Sequence, residues 1–211
     1  GRCYQFRVLP FGISTAPRVF TKLMLVPAQI ARAQGRLCHP YLDDWLLRAL
    51  SRELGISNTR AVMDILVKLG WIINLKKSDL EPSQTQIFLG ARIDTAASLV
   101  SPSLDRANRT KVAVQRFLQR PRHTAREWLQ ILGFMASMID LTWRARLRMR
   151  PMQQALRQLW SHSRGLQSLL STPEWLVPHL EWWTDSANLD RGLPLMPPQP
   201  TMTVQTDASL S

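Results

Sequence analysis

The sequence predicts an α+β chain, with short strands in its first half and helices in its second. Three observations predict it. Short apolar runs, some alternating with polar residues and broken by Gly, Pro or paired acids, recur between residues 4 and 93. From Pro102 onward the apolar spacing changes to three and four, and arginine becomes frequent. Gly192 to Pro200, with Pro194, Pro197, Pro198 and Pro200, then reads as a linker before a fresh alternating run that begins at Met202.

In the first half, Tyr4, Phe6 and Val8 alternate with Gln5 and Arg7, which predicts a strand over residues 4–9 with one buried face. Pro10, Phe11 and Gly12 break it. Ser14 or Thr15 is placed to cap a helix whose first turn tolerates Pro17 and whose apolar stripe is Val19, Phe20, Leu23 and Met24. Pro27 is expected to kink that helix or end its regular part. Leu37 to Leu42 and Trp45 to Leu47 flank Asp43-Asp44, giving two strands joined by a tight acidic turn, with Pro40 suited only to an edge. A second helix is expected with Ser57 as its cap, Val62, Ile65, Leu66 and Leu69 on its apolar face, and Gly70 as its stop. Trp71 to Leu75 and Ile87 to Ile93 read as further strands.

In the second half, Leu104, Ala107, Val112, Phe117 and Leu118 fit one helix imperfectly. Thr124 and Glu127 form a capping-box pattern ahead of Trp128, Ile131, Leu132, Met135 and Ile139. Further helices are expected from Pro151 to Trp160, and from Thr172-Pro173-Glu174 to Trp182-Trp183. Met202, Val204 and Thr206 begin a strand that leads to Asp207.

A length of 211 residues suits one or two domains, and 45% hydrophobic residues is a globular composition. No apolar run is long enough to cross a bilayer, and no signal peptide is legible, so no membrane partner is expected. Two cysteines, Cys3 and Cys38, do not make a disulfide framework, which favours an intracellular, reducing setting. Gly1 and Ser211 read as cuts in a longer chain. The balance of 27 basic to 15 acidic residues, net +12, favours polyanionic partners. Between Arg106 and Arg164 there are 13 arginines and lysines against only Glu127 and Asp140. Such a segment suits phosphate contacts, though solvated helix faces explain the same letters. Arg144, Arg146, Arg148 and Arg150 recur at a spacing of two, which is not one helical face.

The acidic pair carries the clearest chemistry. Adjacent carboxylates at a hairpin tip are hard oxygen ligands suited to Mg²⁺ or Mn²⁺. Phosphoryl transfer commonly uses two such ions about 3.5 to 4 Å apart. An Asp-Asp turn with no ligand is the plainer explanation of the pair alone. The pair does not stand alone. Leu9-Pro10-Phe11-Gly12 with Ala16-Pro17 lies upstream, and Leu69-Gly70-Trp71, Asn74, Lys76-Lys77 and Phe88-Leu89-Gly90 lie downstream.

Together these segments resemble motifs B, C, D and E of the reverse transcriptase palm. They are most similar to retrotransposons of the DIRS-like, tyrosine-recombinase group, a likeness that includes Tyr4 to Gly12. The resemblance covers residues 3 to 100 well and continues more loosely to Asp207. It implies a partial palm, an antiparallel sheet with packed helices, over residues 1–100. A helical thumb and connection would follow over 101–190, then a linker over 191–200 and the truncated first strand of a ribonuclease H-like domain over 201–211. The implied activity is RNA-directed DNA polymerase (nucleotidyltransferase) chemistry within a retrotransposon polyprotein. Its partners would be an RNA or DNA template with its primer, deoxynucleoside triphosphates, and the remainder of the polyprotein.

Residue by residue, the resemblance makes Asp43 a metal ligand and Asp44 its neighbour in the same turn. Tyr41 would lie near the primer end. Gly12 would allow close backbone approach to the nascent base pair, and Phe11 would shape the nucleotide pocket; a turn glycine and core packing are the respective alternatives. Lys77 would be a proton donor to the leaving pyrophosphate, with Lys76 an equal contender or both simply solvated. Phe88, Leu89 and Gly90 would grip the primer strand, and a buried strand with a bulge glycine would explain the same residues. Asp207 would be the first metal carboxylate of ribonuclease H, or an ordinary strand-end aspartate. The palm's other catalytic aspartate, in motif A, and the fingers lie upstream of motif B in that family. The chain by itself is therefore expected not to polymerise. The alternatives are a non-catalytic nucleic-acid-binding remnant, or the product of a domesticated or decayed element.

Overall fold

A computed structural model describes residues 3–196 and Met202. The expected strand leading to Asp207, and Asp207 itself, lie outside the described residues. The chain forms two compact units, Gly1–Ser83 and Gln84–Ser211.

In the first unit, helix α1 (Ala16–Ala33) is followed by strands β1 (Leu37–Tyr41) and β2 (Asp44–Arg48), then helix α2 (Arg52–Lys68). The two strands pair antiparallel, from Leu37 opposite Arg48 to Tyr41 opposite Asp44. Directly opposed residues share a face. Cys38, Trp45 and Leu47 therefore point inward, where they join Ala28, Ala31, Val62, Ile65 and Leu66 in a small core. Leu37, His39, Tyr41, Asp44, Leu46 and Arg48 form the other face. Alanines at positions 28 and 31 let α1 approach the hairpin closely. Arg32 ties the same helix end to β1, donating from Nε and Nη2 to the Cys38 carbonyl at 3.2 and 2.8 Å.

Several expectations are corrected in this unit. Residues 4–9 form no strand: Tyr4, Phe6 and Val8 are exposed, and among the described residues nothing pairs with them. A lone strand leaves its N–H and C=O groups without a ladder, so alternation alone does not hold it. Helix α1 continues through Pro27, which is buried beside Met24, Ala28 and Ala31. Proline forfeits one intrahelical bond, and burying that face offsets the loss. Thr15, not Ser14, is the N-cap residue of α1, and its side chain makes no capping bond. The cap of α2 is Ser51, whose hydroxyl accepts from the Leu54 N–H at 3.2 Å; Ser57 lies inside the helix. Gly70, at φ +85°, ends it as expected, with the Trp71 N–H donating to the Leu66 carbonyl. Trp71 to Leu75 is not a strand. It leads into a 3₁₀ turn at Leu75–Lys77. Pro40 does sit inside β1, opposite Trp45. The Tyr41–Asp44 pair closes the two-residue turn and is hydrogen-bonded, so Pro40 falls at a position whose missing N–H faces away from β2.

The second unit opens with strands β3 (Thr85–Phe88), β4 (Ala91–Asp94) and β5 (Leu99–Pro102). The expected single strand at 87–93 is thus a hairpin, turned at Leu89-Gly90. Helices α3 (Leu104–Leu118), α4 (Ala125–Ala136) and α5 (Ala145–Leu159) follow, with β6 (Arg122–Thr124) before α4 and β7 (Leu169–Ser171) after α5. A short helical run, including α6 (Val177–Glu181) and α7 (Ser186–Leu189), precedes β8 (Leu193–Pro194). Strand β8 extends the antiparallel sheet to the order β3-β4-β5-β8, and β6 pairs with β7. Gly192 is required there, because a Cβ would stand 2.8 Å from the Val100 carbonyl oxygen.

The core of this unit is larger, with Val114, Phe117, Trp128, Met135, Met138, Met152, Leu176, Leu180 and Trp183 all buried. Each such side chain contributes about 1.5–3 kcal/mol by leaving water. The expected capping box is present: the Glu127 N–H donates to the Thr124 hydroxyl at 3.3 Å, and the Thr124 N–H donates to the Glu127 carboxylate at 2.7 Å. Helix α3 buries Ala107, Thr110, Val114 and Phe117, leaving Val112 exposed. Helix α5 begins earlier than expected, at Ala145, and carries Pro151 within it.

Candidate functional site

In the first unit the β1–β2 turn places Leu42 and Asp43 at the tip, with Tyr41 and Asp44 facing each other across its base. Leu42 is held at φ +52°, a left-handed conformation that costs a branched residue about 1–2 kcal/mol. Strain of this kind gathers at functional turns. Asp43, Asp44 and Tyr41 are all exposed. Among the described residues neither carboxylate has a hydrogen-bond or ion-pair partner, and no third His, Cys, Asp or Glu completes a metal-binding group beside them. The tip thus offers oxygen lone pairs that nothing within the unit consumes. Cations lie farther along the hairpin. His39 is held below its usual range first by burial, then by the neighbouring charges of Arg48 and Arg32.

Lys76 and Lys77 sit on the exposed 3₁₀ turn, in the same unit as the acidic tip but without an ion pair to it. Phe11 is fully exposed and packs in no core. Gly12 adopts φ +89° in an open turn, where a Cβ would meet nothing within 4 Å. Its backbone conformation, rather than crowding, is what calls for glycine here.

Phe88, Leu89 and Gly90 belong to the second unit. The Phe88–Ala91 pair closes a two-residue turn with Leu89 at φ +51° and Gly90 at φ +74°, both positive as in a type I′ hairpin. This turn does not contain a bulge glycine. Arg106 holds it from α3, donating from Nη2 to the Leu89 carbonyl at 2.7 Å.

The arginine-rich helices sort into two groups. Some guanidinium groups are used within the fold. Arg120 binds the Glu127 carboxylate at 2.6 Å, Arg109 pairs with Asp105, and Arg144 and Arg191 lie 3.7 and 4.0 Å from the centre of the Trp143 ring. Arg148 lies over Trp182. Glu127 is driven down to about 2, chiefly by the hydrogen bond from the Thr124 backbone and further by Arg120. By contrast Arg116, Arg122, Arg126, Arg146 and Arg157 are exposed, with no side-chain hydrogen bond or ion pair among the described residues. A groove of about 570 Å³ runs between α3 and α4, with Arg109, Arg116 and Arg120 on one wall and Gln130, Ile131 and Phe134 on the other. Its mixture of guanidinium groups and apolar floor suits a phosphate-bearing strand. The α5 arginines therefore divide by helical position: Arg146 and Arg150 face solvent while Arg148 packs inward. A spacing of two in sequence hides that division. The sequence reading missed the roles of Arg106 and Arg120 because it counted every arginine as surface charge. The Thr124/Glu127 pattern is the one local signal that places a carboxylate within reach of Arg120.

Residues 1–93 match the family model described as reverse transcriptase (RNA-dependent DNA polymerase). The chain is 30% identical over 105 residues to the retrovirus-related Pol polyprotein from transposon opus of Drosophila melanogaster, covering 49% of this chain and 10% of that protein. It is 32% identical over 91 residues to the enzymatic polyprotein of Figwort mosaic virus, covering 43% and 13%. Against the transposon Tf2-3 polyprotein of Schizosaccharomyces pombe the figures are 30% over 90 residues, 43% and 6%. The chain thus spans a small part of each of these polyproteins. In fold it is similar to the foamy viral protease-reverse transcriptase dRH in complex with double-stranded DNA. There the TM-score is 0.68 at 19% identity, over 88% of this chain and 29% of that one. The foamy viral protease-reverse transcriptase in complex with an RNA/DNA hybrid gives 0.63 at 18% identity, over 83% and 21%. The α+β architecture, an antiparallel sheet with packed helices, agrees with a partial reverse transcriptase fold. Among the described residues no helix is long and apolar enough to cross a membrane.

Proposed function

We propose that this chain is the palm-to-thumb portion of a reverse transcriptase from a retrotransposon polyprotein of the DIRS-like group, acting in templated addition of deoxynucleotides to a primer. The observation that carries the reading is the Tyr41-Leu42-Asp43-Asp44 tip of the hairpin, whose exposed carboxylates have no hydrogen-bond or ion-pair partner among the described residues. Mg²⁺ or Mn²⁺ suits these oxygen donors, with Asp43 the principal ligand and Asp44 beside it. Bound there, such ions supply charge stabilisation for the attacking and leaving oxygens of phosphoryl transfer.

The chain's own residues would then divide the remaining work. Tyr41, across the turn base from Asp44, sits where the primer end meets the acids. Phe11 and Gly12 line the nucleotide's approach, the glycine keeping that surface low. Lys77, or its neighbour Lys76, donates a proton to the leaving pyrophosphate. The Phe88–Gly90 turn bears on the primer strand, and the free arginines of α3 to α5 bind duplex phosphates. Residues 1–100 act as palm, 101–190 as thumb and connection, and 191–200 as a linker that starts on the sheet, its Leu193–Pro194 paired with β5 as β8. Asp207, outside the described residues, begins a ribonuclease H-like domain. The setting is intracellular, and the remaining polyprotein supplies the fingers and the third carboxylate, with the open edge of β2 available to its strand. The 211-residue chain alone is therefore inactive.

Primer extension by the full-length polyprotein tests this. Asp43→Asn is expected to lower extension by at least about a thousandfold while leaving primer–template affinity within about twofold. Unchanged extension would show the metal site to be elsewhere, and extension by the 211-residue chain itself would refute the division of labour. A second reading, a non-catalytic nucleic-acid-binding remnant, is favoured by the free arginines alone. It predicts salt-dependent duplex binding with no extension by the full-length polyprotein.

A further inference from the structure

Arg106 stands out among the basic residues because its guanidinium group reaches backbone carbonyls of two other elements. Nη2 donates to Leu89 at 2.7 Å and Nη1 donates to Ser137 at 3.3 Å. Leu89 is the first residue of the β3–β4 tip, Arg106 lies in the first turn of α3, and Ser137 is the C-cap of α4. The last carbonyls of a helix lack intrahelical partners and favour a cation. One side chain therefore joins three elements. A second bond runs alongside it: the Ser103 N–H donates to the Gly90 carbonyl at 2.9 Å, while the Ser103 hydroxyl caps α3 by accepting from the Arg106 N–H at 3.3 Å. The guanidinium group lies against Gly90 so closely that a Cβ there would stand 2.7 Å from Nη2. The φ of +74° calls for glycine at position 90, and a Cβ there would also displace the guanidinium group from its place.

We propose that Arg106 is the positioning residue that fixes the Phe88–Leu89–Gly90 tip to helices α3 and α4, so that tip and helices engage a primer strand as one piece. The inference rests on the reading of that tip as the primer-strand contact. Lysine cannot replace this arginine. Its single ammonium lacks the planar fork that reaches two carbonyls in different directions. A residue that merely neutralised a phosphate would behave otherwise: lysine would serve nearly as well, and removing the charge would lower the salt slope by about one.

The test is fluorescence anisotropy of the 211-residue chain with a labelled RNA/DNA primer–template, titrated at several salt concentrations. The wild-type chain is expected to bind with affinity that falls steeply as salt rises. Arg106→Lys and Arg106→Gln should both weaken binding about tenfold with the salt slope unchanged, at temperatures where circular dichroism shows both variants folded. Gly90→Ala should weaken it similarly, and Gly90→Ala with Arg106→Gln should lose little more than either alone. Full rescue by lysine, or a slope reduced by one in Arg106→Gln, overturns the positioning role and leaves the primer-strand reading standing. Absence of salt-dependent binding by the wild-type chain overturns that reading and the inference with it. Should the variants fail to fold, hydrogen exchange on the wild-type chain decides. Added duplex should slow exchange of the Ser103 amide and of residues 88–90 together, and slowing of one without the other contradicts the proposal.

Discussion

Two hairpins of this chain end in two-residue turns, and they treat their tips in opposite ways. The β3–β4 tip is built in: Arg106 and Ser103 bind its two turn carbonyls, and Gly90 is moulded to the guanidinium group. The β1–β2 tip has its acids exposed, without an internal hydrogen bond or ion pair among the described residues; a leucine at positive φ, Leu42 or Leu89, leads both turns. Anchoring suits a surface that must hold a strand in register. Open carboxylates suit a centre whose partners are ions and a triphosphate. The same contrast holds for acids within the chain, since Glu127 is fully engaged in a cap and an ion pair whereas Asp43 and Asp44 are not.

The largest expected effect on stability falls at the anchored tip. Gly90→Ala must bear both a left-handed alanine and a collision with Arg106, and should destabilise the second unit by about 2 kcal/mol in urea unfolding. Gly12→Ala bears the left-handed strain without meeting a neighbour and should cost less. Equal losses would erase the distinction between a moulded tip and an open turn.

A smaller effect is expected from acid. Glu127 has a folded-state value of about 2 against an ordinary 4.5, so its contribution is complete above 4.5 and is lost as pH falls toward 2. Thermal unfolding of the chain between pH 5 and 2.5 should show a declining midpoint, with a shallower decline in Glu127→Gln. An identical decline in both would mean that the engaged carboxylate contributes nothing.

The smallest effect belongs to the strained tip. Leu42→Gly relieves a left-handed leucine but frees the unfolded chain, so it should stabilise the first unit by less than about 1 kcal/mol. Clear destabilisation would show that Leu42 is held by packing and stores no strain.

What was legible in the sequence was local. The Thr124/Glu127 cap and the stop at Gly70 each depend on residues within a few positions, and each stands where the pattern put it; the acidic turn falls one residue earlier than expected, on Leu42-Asp43, with Asp44 opening β2. What depended on distant partners was misread. Tyr4, Phe6 and Val8 alternate like a strand yet have none beside them among the described residues. Pro27 survives inside α1 because its face is buried, which the letters do not disclose. Strands β6 and β7 went unseen because three-residue segments 45 residues apart carry no periodicity of their own. The candidate site divides in the same way. Asp43 and Asp44 became candidates through their sequence neighbours, whereas the use of Arg106 depends on carbonyls 17 and 31 residues away.

Mn²⁺ titration of the isotope-labelled chain, followed through paramagnetic broadening of its amide signals, tests the central contrast most directly. Broadening should begin at Tyr41 to Trp45 at the lowest Mn²⁺ and disappear in Asp43→Asn with Asp44→Asn. Broadening that persists in the double variant, or that centres on the Arg106-bound turn, would contradict the assignment of the ions to the acidic hairpin.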